Sequence, residues 1–253
     1  MVAGRRSVSV SDAEAWVFNR MVDAYVTRPP YPAALVDSIA ELAASTGPRI
    51  ADVGAGVGHL ALPLAARGLD VVAIEPARAM LSRLEADARL RDLRIRAEHA
   101  AAEALPLDAR SVDLVLIADA LHFIDADLAP VQVKRVLARR GGLAIVLSDF
   151  ADTAFMRGVV EAIYAAAPRR PRDMAQAAVQ VFATSQVPVH RDRLFLQEVP
   201  VDDLTLENVL RSISFIGPAM NRERFGAFRE RVLALPGPKV WSRTFRLLTG
   251  RRR

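Results

Sequence analysis

The stretch from Arg49 to Pro76, RIADVGAGVGHLALPLAARGLDVVAIEP, constrains this chain more than any other. Ile50-Ala51-Asp52-Val53 has the length and apolar character of a buried strand. Glycines follow at alternate positions, Gly54, Gly56 and Gly58. The segment His59 to Arg67 then reads as a helix closed by Gly68, and Val71 to Ile74 as a second buried strand ending on Glu75. Glycine permits positive φ and lets a ligand approach the backbone with no Cβ in the way. A carboxylate about twenty residues beyond such a turn can accept both hydroxyls of a ribose. The unit therefore predicts a site for an adenosine-containing ligand.

A nicotinamide dinucleotide turn has glycine at its first, third and sixth positions. Here the first, third and fifth are glycine, and the sixth is His59. Asp52 lies just before the turn, where a carboxylate repels a pyrophosphate and suits an ammonium group. The pattern favours a cationic adenosine ligand over a dinucleotide.

Helical patterns are expected over Ser11–Tyr25, with Trp16, Val17, Met21, Val22 and Tyr25 near one face, and over Ala33–Ser45. Beyond the glycine unit come a helix at Ala77–Leu90, a strand at Leu93–Glu98 and a loop at Ala102–Pro106. A strand at Val112–Ala118, a helix at Asp127–Arg140 closed by Gly141-Gly142, and a strand at Leu143–Ser148 complete the alternation. Such alternation predicts an α/β fold, a doubly wound parallel sheet with helices on both faces. Further helices are expected at Thr153–Ala167, Met174–Thr184, Leu204–Ser214 and Arg222–Leu235, and strands at Leu194–Val199 and Val240–Leu248. Residues 151–190 are too long for a simple connection and are expected to be an inserted helical lid. The whole chain, 1–253, reads as one domain: an N-terminal helical cap (1–48), a core (49–150), the lid, and a C-terminal part (191–253).

Asp52-Val-Gly-Ala-Gly-Val-Gly58 with Glu75 resembles the class I S-adenosylmethionine-dependent methyltransferases. Ala102-Glu-Ala-Leu-Pro106 resembles that family's adenine loop, and Ser111–Val115 and Ala118–Phe123 its fourth strand and the segment after it. Tyr25 and Arg28-Pro-Pro-Tyr-Pro32 resemble the N-terminal segment of the small-molecule subgroup. The resemblance implies a Rossmann-like seven-stranded sheet whose last strand is antiparallel. It implies S-adenosyl-L-methionine as cofactor and S-adenosyl-L-homocysteine as product. Carried over, Gly54, Gly56 and Gly58 line the methionine part, and Asp52 orients the turn and the amino group. Glu75 holds the ribose hydroxyls, Pro76 and Ala77 lie by the adenine, and Ala102 and Glu103 contact it. Ala118 offers its carbonyl to the amino group, and Tyr25 and Arg28 close over the carboxylate. Many relatives carry an aspartate just before the Ala-Glu pair; Ala101 stands there, so adenine selectivity falls to other groups, Glu103 among them.

Methyl transfer from a sulfonium needs an in-line nucleophile, and a base only when the acceptor carries a proton. His122, just past the fourth strand, is the candidate base or acceptor-orienting group, since imidazole titrates near neutrality. The remaining histidines, His59, His99 and His190, are scattered and cysteine is absent, so no metal site and no disulfide scaffold are expected. No uncharged run approaches the roughly eighteen residues of a membrane span, and the first residues lack a signal peptide's apolar core; a cytoplasmic protein is expected. The net charge is +5, but the arginines are scattered, with clusters only at Arg169–Arg172 and Arg251–Arg253, so no nucleic-acid partner is expected. The expected partner is a small organic molecule methylated on oxygen, nitrogen or carbon, and the expected state a monomer or homodimer. Two rivals stay open: an RNA or DNA methyltransferase using the arginines, and a cofactor-binding module without catalysis.

Overall fold

The computed structural model describes residues 17–168 and 173–252. Trp16 and the start of the first expected helix, the Arg169–Arg172 cluster and Arg253 lie outside them. In chain order the elements are α1 (Val22–Tyr25), α2 (Ala33–Thr46), β1 (Arg49–Val53), α3 (Ala61–Ala65), β2 (Asp70–Ile74) and α4 (Arg78–Leu90). There follow β3 (Ile95–Glu98), β4 (Val112–Ala118), α5 (Ala129–Val136), β5 (Leu137–Phe150), α6 (Ala154–Ala166) and α7 (Met174–Thr184). The chain ends with β6 (Val189–Pro200), α8 (Asp203–Arg211), α9 (Arg222–Leu233) and β7 (Val240–Arg251). Short 3-10 turns occupy Val17–Arg20, Ala102–Ala104 and Leu121–Phe123.

The seven strands form one sheet in the order β3-β2-β1-β4-β5-β7-β6. Strands β1 to β5 run parallel, and β7 is antiparallel to both β5 and β6. The order reverses at β1, whose neighbours are β2 and β4, so a crevice opens at the carboxyl ends of β1 and β4. Burial on both faces explains the unbroken apolar run of β4, buried from Val112 to Ile117. One face packs Ala51, Val53, Val115 and Ile145 against Val133 of α5 and Val181 and Phe182 of α7. The other packs Ile50, Leu114, Leu116 and Phe245 against Leu35 and Ile39 of α2 and Leu64 of α3.

Two smaller clusters close the carboxyl end. Phe155, Met156 and Val159 of α6 join Leu206 and Val209 of α8, Phe225 and Phe228 of α9, and Trp241 of β7. The N-terminal segment docks Met21, with Val17, Phe18 and Tyr25, over Val57 of the glycine turn and Met80 of α4. Asn19 adds a polar tie, its Oδ1 accepting from the Ala79 N–H at 2.9 Å. That bond satisfies a first-turn donor of α4, whose own N-cap residue, Ala77, has no side-chain acceptor. The residues expected as a lid divide between two layers: α6 belongs to the α8–α9 cluster, and α7 covers the sheet.

Several elements differ from expectation. The 3-10 turn and α1 are separate pieces, interrupted at Met21, where one continuous helix is expected. Helix α3 is only five residues long, with Pro63 in its first turn, where a missing N–H is harmless. Helix α5 stops at Val136, and β5 begins at Leu137, four residues before the glycine pair expected to cap a longer helix. A Cβ on Gly141 would lie 2.7 Å from the Leu137 side chain, so glycine there permits close packing within the strand rather than ending a helix. Strands β6 and β7 are longer than their apolar runs because each pairs along the other.

Gly58 has φ +89°, and a Cβ there would sit 2.9 Å from Leu84 Cγ of α4 and 3.1 Å from Leu62 Cγ of α3. Gly58→Ala is expected to destabilise the protein by about 1–3 kcal/mol through strain and overpacking. A shift of the denaturation midpoint in urea at unchanged slope measures it; an unshifted midpoint contradicts this packing.

Candidate active site

The glycine turn is pinned across the end of β2. The Gly54 and Ala55 N–H groups both donate to Ile74 O, at 2.8 and 3.1 Å. Gly54 has φ +78°, and a Cβ on it would lie 2.6 Å from that of Ala120, so the turn tolerates no side chain at this point. The chain leaves β2 at Glu75, whose carboxylate bridges two elements. Its Oε2 accepts from the Gly56 N–H at 2.9 Å and its Oε1 from the Ala77 N–H at 2.8 Å. Glu75 is buried, and burial pushes its carboxyl up to about 7, against the downward pull of the two N–H donors. Asp52, at the end of β1, is 2 % exposed. Its carboxyl is also pushed up to about 7, by burial first and the nearby Glu75 charge second, with the Ala61 N–H opposing.

A cavity opens beside this pair. Gly54, Gly56, Glu75 and Pro76 line one side, and Ala102, Glu103 and Ala118 the other, with Tyr25 across the top. Glu103 also ties two walls together, its Oε1 accepting from the Asp125 N–H at 2.6 Å. Asp52, Gly58, Arg28 and His122 do not line this cavity. Gly58 supports the turn from behind, against Leu62 and Leu84. Phe123, from the segment expected after the fourth strand, supplies apolar wall together with Phe18, Met80 and Ile124, for which the sequence offers no site signal. Their role depends on the N-terminal segment folding over the sheet, and nothing local signals that.

Tyr25 occupies the junction. Its ring stacks on His59 at 5.6 Å and 14°, and meets Phe18 edge to face at 6.0 Å. Burial, with the charges of Arg28 and Arg243 adding to it, lowers the His59 imidazole to about 4, so the ring under Tyr25 is neutral. The Arg28 guanidinium lies 4.1 Å from the Tyr25 ring centroid. Its Nε donates to Ser212 Oγ at 2.8 Å and its Nη2 to Ser212 O at 2.6 Å, beyond the end of α8.

Phe18, Tyr25, Asp119 and Phe123 also line a second cavity of about 220 Å³. Arg28, His122, Phe150, Ile213, Trp241 and Arg243 form much of its wall. His122 sits on the turn after β4, with its ring 3.8 Å from that of Phe123. The structure thus brings Tyr25, Gly54, Gly56, Glu75, Pro76, Ala102, Glu103 and Ala118 to one cavity, His122 and Arg28 to the adjoining one, and Asp52 and Gly58 to neither.

Between the two stands a polar cluster centred on Asp119, which has no site signal of its own in the sequence. Asp119 has φ +52°, a conformation that aspartate tolerates better than most residues. Its Oδ1 accepts from Ser148 Oγ at 2.6 Å, and its Oδ2 from Tyr31 Oη at 3.1 Å and Arg243 Nη2 at 3.0 Å. Arg243 also donates to Ser148 Oγ. Burial, then the Asp119 charge, holds the Tyr31 phenol well above its usual range, so it stays a proton donor. Arg243 is 124 positions from Asp119, and only the antiparallel pairing of β5 with β7 brings them together.

Comparisons with known proteins agree with this geometry. Residues 50–142 match the family described as "Methyltransferase domain". Over 147 residues the chain is 40 % identical to an uncharacterized methyltransferase of Mycobacterium tuberculosis strain H37Rv, covering 58 % of this chain and 55 % of that one. Over 131 residues it is 32 % identical to a probable S-adenosylmethionine-dependent methyltransferase of Saccharomyces cerevisiae, covering 49 % and 45 %. The chain therefore spans about half the length of the curated relatives it matches. The crystal structure of a putative methyltransferase from an antibiotic biosynthesis pathway of Anabaena variabilis superposes with a TM-score of 0.62 at 19 % identity, over 88 % of this chain and 98 % of the other. The matched residues, 50–142, carry strands β1 to β4 and the start of β5, so it is the core of this chain that is similar to a methyltransferase domain. No helix among the described residues is long and apolar enough to cross a membrane.

The two raised carboxyls set a pH dependence. With native values near 7 and unfolded values near 4, the folded protein holds protons between about pH 4 and 7 that the unfolded chain has lost. Unfolding free energy should therefore fall as pH rises through that window. Asp52→Asn should flatten the fall, as thermal melts at a series of pH values would reveal. A melting temperature with the same slope in parent and variant would contradict the assignment.

Proposed function

We propose that this protein transfers a methyl group from S-adenosylmethionine to oxygen, nitrogen or carbon of a small organic acceptor. The observation that carries this is the Glu75 carboxylate, buried at the end of β2 beside a side-chain-free glycine turn, on the wall of a cavity that shares Tyr25, Asp119 and Phe123 with a second one. The residues present fit such a cofactor. Glu75 is a paired-hydroxyl acceptor, and the glycines admit close approach of a chain. Pro76, Ala102 and Ala118 offer flat, small surfaces for a purine and main-chain acceptors beside it. When bound, the cofactor supplies a sulfonium-activated methyl group.

The protein's own part is mostly placement, and holding two reactants in line contributes roughly 7–11 kcal/mol to such a reaction. Phe18, Tyr25 and Phe123 flank both cavities and place apolar wall where they adjoin. His122 faces the acceptor side, where an imidazole nitrogen takes up a proton if the attacking atom carries one, or orients that atom if it does not. The 220 Å³ of the second cavity lies below the roughly 300–1,000 Å³ usual for drug-sized ligands, which favours a compact acceptor.

Glu75→Ala should weaken S-adenosylhomocysteine binding by about 1.5–3 kcal/mol, roughly ten- to a hundred-fold, measured by calorimetry. Unchanged affinity would remove Glu75 from the site. His122→Ala should lower turnover about 10²-fold with nearly unchanged affinity for the product. Turnover within about threefold of the parent would exclude an essential base.

A further inference from the structure

We infer that Arg28 selects the acceptor, and that the acceptor is a carboxylate joined to a compact apolar body. The inference rests on the methyltransferase assignment and adds to it a substrate class. Two guanidiniums line the second cavity. Arg243 is neutralised by Asp119 at 3.0 Å. Arg28 has no carboxylate partner among the described residues, and its Nη1 has no hydrogen-bond acceptor among them. A partly buried cation is stabilised by an anion brought to it, and the planar fork of arginine matches a carboxylate.

The guanidinium is also held in place before any ligand arrives. Ser212 fixes its Nε and Nη2, and the Tyr25 ring lies 4.1 Å beneath its carbon. Ordering this side chain in advance removes an entropic cost of binding. The wall opposite is apolar, built from Phe18, Phe123, Phe150, Ile213 and Trp241. The remaining charge there, Asp149, is exposed and turned to its own neighbour, accepting from the Phe150 N–H at 2.8 Å. Two cations face two carboxylates on this wall, which suits a singly charged anion better than a dianionic phosphate.

The sequence resemblance places Arg28 on the cofactor's carboxylate; the cavity it lines is the other one. The test separates the two roles. Benzoate, phenylacetate and 3-phenylpropanoate, each paired with its neutral amide, are titrated by calorimetry into the full chain saturated with S-adenosylhomocysteine. Phenyl phosphate is a further arm. At least one carboxylate should bind about ten-fold or more tightly than its amide. Arg28→Gln should abolish that preference and change S-adenosylhomocysteine affinity less than threefold, and Arg28→Lys should retain part of it. The parent pair needs no variant, so a poorly folded Arg28→Gln leaves the decision intact. No carboxylate preference in the parent, including no binding at all, overturns the inference, as does tighter binding of phenyl phosphate. A preference that survives Arg28→Gln while cofactor affinity falls ten-fold would return Arg28 to the cofactor. Failure of the parent to bind S-adenosylhomocysteine at all would instead strike the methyltransferase assignment itself.

Discussion

The bond from the Gly56 N–H to Glu75 extends the contact between the paired strands β1 and β2 beyond their last residues, Val53 and Ile74. It holds the turn after β1 against the exit of β2, while Ile74 O receives the first two N–H groups of the turn. The same carboxylate fixes the Ala77 N–H as α4 begins. A buried carboxylate is tolerated here because main-chain donors surround it, and it remains the most strongly placed acceptor in the crevice. Burial raises its carboxyl to about 7, against the two N–H groups that favour the charged form.

A second constraint works beside the second cavity. Asp119 gathers donors from the segment after α1, from β5 and from β7, through Tyr31, Ser148 and Arg243. These three elements meet only because β7 runs antiparallel beside β5. The cluster turns the backbone at Asp119 into positive φ, and so sets the direction in which the chain carries Leu121, His122 and Phe123 into the cavity. The α6–α8–α9 cluster and the N-terminal segment then close the space from two sides.

The lining of the cavity beside Glu75 is legible in the sequence because its determinants are local. Gly54, Gly56, Glu75, Pro76, Ala102, Glu103 and Ala118 were all named from short segments, and each segment follows the end of a parallel strand. The strand order returns those ends to one edge of the sheet. Errors fell where tertiary packing overrides local pattern. The glycine pair at 141–142 resembles a helix stop but sits inside β5, where Gly141 makes room for the Leu137 side chain. Helix α5 is accordingly shorter than its periodicity.

By itself, the sequence determined the parallel α/β core and the glycine turn with its flanking acids. These follow from backbone conformation and from charge near a strand end, both set by neighbouring residues. Only the tertiary structure decided that Phe18 and Phe123 wall both cavities, that Arg243 neutralises Asp119, and that Arg28 lines the second cavity, held by Ser212. Those contacts span 124 positions for Arg243–Asp119 and 184 for Arg28–Ser212. Side-chain partners at such separations are chosen by strand pairing and helix packing, which no local pattern of residues encodes.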